Sequence, residues 1–456
     1  MKTRSACLEI LNRFTENTTG DSSFKSISNT FLKENNFSDL DRRFIYEISK
    51  GTVRNLVKID YTLELFSRIK LEKIDPVILN LLRISVFQLM FLDRVPSYSV
   101  LNEAVEIAKK NSGLYASKFV NAVLRKISDD KDINSAVNLH INSCIKNFNE
   151  RIGILHSFPL WIIEYWGKNF KSDKIEKICS SLNEETYNYI RINSCRINKK
   201  EFSGNYLKDE SVDPSEMKDL FRCHKSADLF DDTLILKSQQ DLDKKDAFKK
   251  GLFSVQDFSS QFAVKSFLMP EKNQKILDLC GAPGGKATYA AEITGDRAEI
   301  LSVDKNNRRM ALFKDNILRL GLNSISLFTA DVSARNYLGE NKKFREYFDK
   351  IFLDPPCSSF GTISKNPELK YTKSSEDVKK LAIQSLEMLV NSEIYLRPGG
   401  SIIYYTCTIS SIENEDVVNG FLNRNPGKFH LIKIYNIMPH CFKSEAGFIA
   451  VIKKIK

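Results

Sequence analysis

The chain has no uncharged apolar stretch of about 18 residues, so no membrane-spanning helix is expected. Its opening residues, Met1-Lys2-Thr3-Arg4-Ser5-Ala6-Cys7-Leu8-Glu9, hold no apolar signal core, and no export signal is expected there. The nine cysteines contain no Cys-x-x-Cys pair and are odd in number. That argues against a disulfide framework and against a zinc site, and points to reduced cytoplasmic thiols. Internal repeats and low-complexity tracts are also missing. Over residues 1–130 glycine is sparse and strand alternation is absent, which excludes a β-rich start.

What remains is the composition of a soluble globular protein, 42% hydrophobic and 27% charged. A length of 456 residues exceeds one ordinary core, so two or three domains are expected. Lys+Arg number 68 against 57 Asp+Glu, a net charge of +11. An excess of that size favours a polyanionic partner, nucleic acid first, although a solvated lysine-rich surface gives the same count.

Residues 1–130 read as a helical bundle. Ile78, Leu81, Leu82, Ser85, Val86 and Leu89 mark one helical face, with Asp75 as cap and Pro76 in the first turn. Val100, Ala104, Val105 and Ala108 mark a second helix, and Phe119, Val120, Val123, Leu124 and Ile127 a third. Residues 131–150 are polar and read as a link. They open a middle segment, 131–250, of mixed α+β character, with a helix from Pro159 and short strands at Tyr189–Asn193 and Leu234–Leu236. Lys244–Gly251 reads as a solvated basic lead-in to the last domain, 251–456. There the texture becomes alternating βαβ. Strands are expected at 275–280, 299–304, 325–329, 349–354, 401–406 and 447–453, with helices such as 306–320 and 376–395. The fold class is α/β: an all-α domain, then an open, mostly parallel sheet with helices on both faces.

The first strand of that sheet runs into Cys280-Gly281-Ala282-Pro283-Gly284-Gly285-Lys286. Glycines there let backbone approach a ligand, and the helix that follows attracts negative charge. The spacing is not G-x-G-x-x-G, which weakens a dinucleotide reading. The next strand ends in Asp304, placed to accept both hydroxyls of a ribose. The third is followed by Asp331, within reach of an adenine amine. Glycine turn, ribose acid and adenine acid in that order fit S-adenosylmethionine. A tight turn and two capping aspartates are the structural alternative.

Two cysteines set 50 residues apart follow apolar strands, Cys357 after Asp354-Pro355-Pro356 and Cys407 after Tyr404-Tyr405-Thr406. Carbon 5 of cytosine is a poor nucleophile until a thiolate adds to carbon 6, and thiols suit that role. Asp354 stands where an acid could act at ring atom N3, provided that it holds a proton. Transfer to an exocyclic amine needs no thiol, so Cys357 after Asp-Pro-Pro argues against it. Position alone leaves open which cysteine attacks. Cys280 reads as packing inside the turn. Cys7, Cys144, Cys179, Cys195, Cys223 and Cys441 have no such context and are expected as buried structural thiols.

These stretches, with Phe253–Gln261, Asn366–Tyr371 and Glu413-Asn414-Glu415, resemble the catalytic domain of the NOL1/NOP2/Sun family of RNA 5-methylcytosine methyltransferases. Residues 1–130 resemble the NusB RNA-binding fold. The resemblance implies a Rossmann-like methyltransferase domain with a seven-stranded sheet. It also implies a small RNA-binding subdomain within 131–250. The implied activity is methyl transfer to carbon 5 of a cytosine in 16S rRNA or its small-subunit precursor, cytosine 967 by family analogy. It makes Cys407 the nucleophile and Cys357 the thiol that assists release, the reverse of the DNA cytosine enzymes. It maps cofactor contacts onto Cys280, Gly281, Ala282, Pro283, Gly284, Gly285, Lys286, Asp304, Asp331 and Asp354. A monomer without metal or membrane is expected. Ala287 stands where the family commonly has Thr, and Ala446 where it usually has Asp.

The target base is expected to be extruded or single-stranded. Lys365, Lys370 and Tyr371 are candidates to hold phosphate and stack a base. Arg42, Arg43, Arg54 and Lys58 are candidates for phosphate contacts, whereas Arg308 and Arg309 fall on the cofactor-side helix. Transfer to tRNA and a non-catalytic RNA-binding assembly factor are the competing functions.

Overall fold

The computed structural model describes residues 2–16, 23–206, 232–236, 245–339 and 342–455. Cys223 and Lys244 lie outside them. The chain forms two compact units: Met1–Asn183 with Lys365–Lys373, and Glu184–Ser364 with Ser374–Lys456.

The first unit is helical. Its central helix, Pro76–Phe91, starts where Asp75 accepts the backbone N–H groups of Val77 and Ile78 at 3.0 and 3.2 Å. The predicted stripe is buried except for Leu89, which is half-buried, and Asn80, Ile84, Phe87, Gln88 and Met90 are buried as well, so this helix is packed nearly all round. The two helices expected after it form one run, Ser97–Ser128, broken at Gly113 by φ 82°. Residues 131–150 are not a bare link. They carry the helix Ile133–Cys144, capped by Asp132, which buries Ile133, Val137 and Ile141 four residues apart. Its polar residues cover only the outer faces, which is why composition reads as a connection.

The second unit holds two sheets. β1 (Asn188–Ile192) pairs antiparallel with β2 (Thr233–Leu236) and β3 (Phe253–Val255), in the order β2-β1-β3. The larger sheet comprises β4 (Lys275–Leu279), β5 (Glu299–Asp304), β6 (Ile325–Thr329), β7 (Phe348–Leu353), β8 (Leu396–Thr406), β9 (Phe429–Ile437) and β10 (Gly447–Lys454). Its order is β6-β5-β4-β7-β8-β10-β9. The first five strands of that order run parallel, and β10 pairs antiparallel with both β8 and β9. Alternate residues face opposite layers. Ile276, Ile300, Phe352 and Ile403 pack with Ala287 and Phe313, while Leu277, Val303, Ile351 and Ile402 pack with Met388, Leu389 and Phe421. Helices therefore cover both faces, as a Rossmann-like sheet requires.

β3 and β9 are absent from the sequence expectations. β3 has three residues, and β9 is an edge strand whose half-exposed residues alternate too weakly to signal. Lys244–Gly251 is less solvated than expected, because Asp246–Lys249 forms a helical turn that buries Ala247.

Candidate active site

Parallel pairing brings the ends of β4, β5, β6, β7 and β8 to one edge of the sheet. Strand order reverses between β4 and β7, the position where open α/β sheets take ligands. The glycine turn, Asp304, Asp331, Asp354, Cys357 and Cys407 all follow strands at this edge.

The turn is built close. A Cβ on Gly281 would overlap the Asp278 carboxylate and the Ser302 hydroxyl, and one on Gly284 (φ +96°) would overlap the Phe313 ring. Gly285 opens the helix Gly285–Ile293. Beside it the buried Gln256 Nε2 has no hydrogen-bond partner among the described residues. Asp304 is 4% exposed and accepts backbone N–H from Ala282 (3.2 Å) and Asn306 (2.9 Å). A carboxylate offers about four acceptor sites, so capacity remains toward a hydroxyl. Asp331 accepts from the Ser333 hydroxyl at 2.5 Å and lies 3.5 Å from Lys305, which hold it below the usual carboxylate range. Arg309 donates to the Ala282 carbonyl, placing it on the turn. Cys280 packs against Met388 at 3.8 Å, and burial pushes its thiol up. Burial also raises Asp278, to about 6, against the hydrogen bond it receives from Ser302.

Cys357 and Cys407 are brought together, Sγ to Sγ 3.5 Å. Ser359 Oγ lies 3.5 Å from the Cys407 sulfur and 3.8 Å from the Cys357 sulfur. The hydrogen bond to Cys357 and burial hold the Cys407 thiol well above its ordinary value. Lys286 donates to Asp354 at 2.5 Å, with its ammonium 5.0 Å from the centre of the Tyr405 ring. Burial opposes the charge on Lys286, but Asp354 outweighs it and the ammonium is held above its usual range.

The sequence reading missed the group behind the turn. Arg191 of β1 and Glu292 form an ion pair at 2.9 Å with both side chains 1% exposed. Arg191 also donates to Gln256, Thr288 and the Gly285 carbonyl. The available signal was an arginine in the apolar run Tyr189-Ile190-Arg191-Ile192.

Some candidates for RNA contact are buried. Lys370 belongs to the helical unit, is 0% exposed, and donates to Arg54 O (3.0 Å), Ser157 O (2.9 Å) and Asn183 Oδ1 (2.8 Å). Its three protons are committed, so it cannot hold phosphate as expected. Tyr371 is half-buried with its hydroxyl 3.5 Å from Ser157 O. Lys365 is half-buried. Lys58 is buried on Asn134 Oδ1 at 2.6 Å, and burial lowers it to about 8. Arg42 bonds the Phe37 carbonyl at 3.1 Å, Arg54 is half-buried, and Arg43 is exposed. Of the cysteines expected to be buried, Cys7 and Cys179 are, with thiols pushed up to about 12 by burial. Cys144, Cys195 and Cys441 are exposed. Among the described residues no helix is long and apolar enough to cross a membrane.

A Rossmann-like sheet of this order, with a glycine turn and strand-end acids at the reversal point, defines a methyltransferase domain. Residues 265–446 match the family model described as 16S rRNA methyltransferase RsmB/F, and residues 1–129 match the NusB family. The last domain is thus similar to RsmB/F methyltransferases, and the first to NusB domains. It is 29% identical over 440 residues, 93% of each chain, to the probable ribosomal RNA small subunit methyltransferase B of Bacillus subtilis. It is 27% identical over 423 residues, 92% of each, to the ribosomal RNA small subunit methyltransferase B of Proteus mirabilis. The crystal structure of PH0851 covers 100% of this chain and 99% of its own, with a TM-score of 0.76 at 24% identity. That of NSun6 from Pyrococcus horikoshii with SFG covers 66% of this chain and 100% of its own, at 0.54 and 21%. These two establish the fold.

Proposed function

We propose that the chain transfers a methyl group from S-adenosylmethionine to carbon 5 of a cytosine in small-subunit rRNA, cytosine 967 by analogy with its family. The observation that carries this reading is the pair of thiols 3.5 Å apart at the sheet edge that also holds the Lys286–Asp354 pair. Amine methylation has no use for two thiols. The names of the relatives support rRNA as substrate.

The glycine turn fits the cofactor. A Cβ at position 281 or 284 would overlap neighbouring side chains, Gln256 Nε2 lacks a partner beside Gly285 among the described residues, and Asp304 retains acceptor capacity. In this reading Cys280–Lys286, Asp304, Asp331 and Asp354 hold it. Bound there, it supplies an electrophilic methyl on a sulfonium.

Cys407 reacts as its thiolate, its proton passing to water as the base enters, with Cys357 Sγ and Ser359 Oγ as its hydrogen-bonding neighbours. Its sulfur lone pair then forms a bond to carbon 6, and the ring π electrons move onto N3 and carbon 5. The Lys286 ammonium, held by its hydrogen bond to Asp354, would balance the negative charge that develops at N3. Carbon 5 would form a bond to the methyl carbon as the methyl–sulfonium bond breaks, its electron pair staying on sulfur so that the cofactor leaves as a neutral thioether. A base then removes the carbon 5 proton, that electron pair re-forms the 5,6 double bond, and the sulfur–carbon 6 bond breaks to release Cys407 as thiolate. Cys357 assists this elimination.

The reading is tested by incubating the protein with 16S rRNA, with tRNA, and with labelled cofactor, followed by nucleoside mass spectrometry. The expected product is 5-methylcytidine in 16S rRNA. Label confined to tRNA, or no label in any RNA, contradicts it.

A further inference from the structure

The geometry points to Glu413 as the positioning residue that holds the Cys357 loop in register with the Cys407 loop, and so sets the release step. This inference rests on the function proposed above.

Glu413 lies six residues after Cys407 and is 0% exposed. Its backbone is fixed from the Cys407 side. The Tyr404 hydroxyl of β8 donates to its carbonyl at 2.5 Å, and its own N–H donates to Ser410 Oγ at 3.3 Å. Its carboxylate reaches the other loop. Oε1 accepts the Ser358 N–H at 2.6 Å, and Oε2 accepts the Ser358 hydroxyl at 2.6 Å. Ser358 directly follows Cys357. A hydroxyl has one proton, so with that proton on Glu413 the Ser358 oxygen accepts from Thr408 Oγ1, also 2.6 Å away. Thr408 directly follows Cys407. One buried carboxylate thus ties together the residues next to both sulfurs.

The neighbouring contacts complete the bracket. Asn414 accepts from Thr406 Oγ1 at 2.6 Å and donates to the Thr408 carbonyl at 3.1 Å, holding the Cys407 loop from both sides. Gly361 donates to the Cys407 carbonyl at 3.0 Å and accepts from the Ala446 N–H at 3.0 Å. The Glu413 carboxylate makes its direct contacts on the Cys357 side. Losing it should therefore displace Cys357 more than Cys407, and slow elimination more than attack.

The test is a denaturing gel of Glu413→Ala protein with rRNA and S-adenosylmethionine, beside wild type and Cys357→Ala. A misplacement near 1 Å costs on the order of 100-fold in rate. Turnover should fall by that order, with an RNase-sensitive protein–RNA adduct persisting although Cys357 is present. Binding of S-adenosylmethionine in equilibrium dialysis should be unchanged. Glu413→Gln should turn over close to wild type, because its amide oxygen accepts the Ser358 N–H and its NH2 donates to Ser358 Oγ. A merely structural role would lower adduct and product together. If Glu413→Ala fails to melt cooperatively, Ser358→Ala, which keeps the N–H bond and removes the hydroxyl link, is read in its place with the same expectation. Slow turnover without adduct, or wild-type clearance, overturns the inference. An adduct with Cys357→Ala but none with Glu413→Ala removes this inference alone. No adduct with Cys357→Ala removes the proposed mechanism and this inference with it.

Discussion

The sulfur atoms of Cys357 and Cys407 stand 3.5 Å apart although 50 residues separate them. The pairing arises because β7 and β8 lie side by side and parallel, with Leu353 opposite Tyr404. β7 then delivers Cys357 shortly after Leu353, and β8 delivers Cys407 directly after Thr406. Two thiols at that distance can act on one ring, and only one of them needs to attack it.

Lys286 and Asp354 should act as a unit. Lys286→Met or Asp354→Asn should each reduce methyl transfer by about 100-fold or more, the usual range for a group that moves or balances a proton. The double variant should be little worse than either single one. Single-turnover transfer to rRNA measures this. Losses that multiply in the double variant would mean that the two act independently.

Asp278 should make stability depend on pH. Burial raises its folded pKa from 3.8 to about 6. Its contribution is fully present below about pH 3.8 and is lost as the pH rises through 6. The loss at neutral pH is about 3 kcal/mol, an order of magnitude only. Asp278→Asn should abolish this loss, so that its urea midpoint gains on that of wild type between pH 4.5 and 7.5. Parallel midpoints across that range would show that Asp278 is not the source.

Arg191→Met should destabilise the catalytic unit by about 3–5 kcal/mol, because Glu292 would be left buried and unpaired. Arg191→Met/Glu292→Met should recover most of it. Chemical denaturation reads both, and a double variant no better than the single one would contradict the ion-pair account.

Lys370→Met should destabilise the helical unit, since it leaves the carbonyls of Arg54 and Ser157 without that donor. Each buried acceptor stripped in this way costs about 1–3 kcal/mol. The salt dependence of rRNA affinity should be unchanged, because this ammonium faces protein. A shallower salt slope for the folded variant would restore Lys370 as a phosphate contact.

Much of this was legible in the sequence because local signals and tertiary demands agreed. Asp75-Pro76 opens a helix, Cys280–Lys286 follows a strand, and Asp354 and Cys357 follow another. What was not legible depends on partners distant in sequence. Whether Lys370 meets solvent or three carbonyls is decided by residues 54, 157 and 183. Arg191 finds Glu292 about a hundred residues on, and nothing local to either announces it. Glu413 was visible within its motif, but its reach to Ser358 follows only once β7 and β8 are neighbours. The helix Ile133–Cys144 was hidden because three buried residues suffice to seat it.

The central claim is that Cys407 attacks and Cys357 assists release. The most direct measurement is a denaturing gel of Cys357→Ala protein incubated with 16S rRNA and S-adenosylmethionine. The account predicts a retarded, RNase-sensitive band that disappears in Cys357→Ala/Cys407→Ala, with Cys407→Ala alone inactive. Full activity of Cys407→Ala, or a band that survives in the double variant, would contradict it.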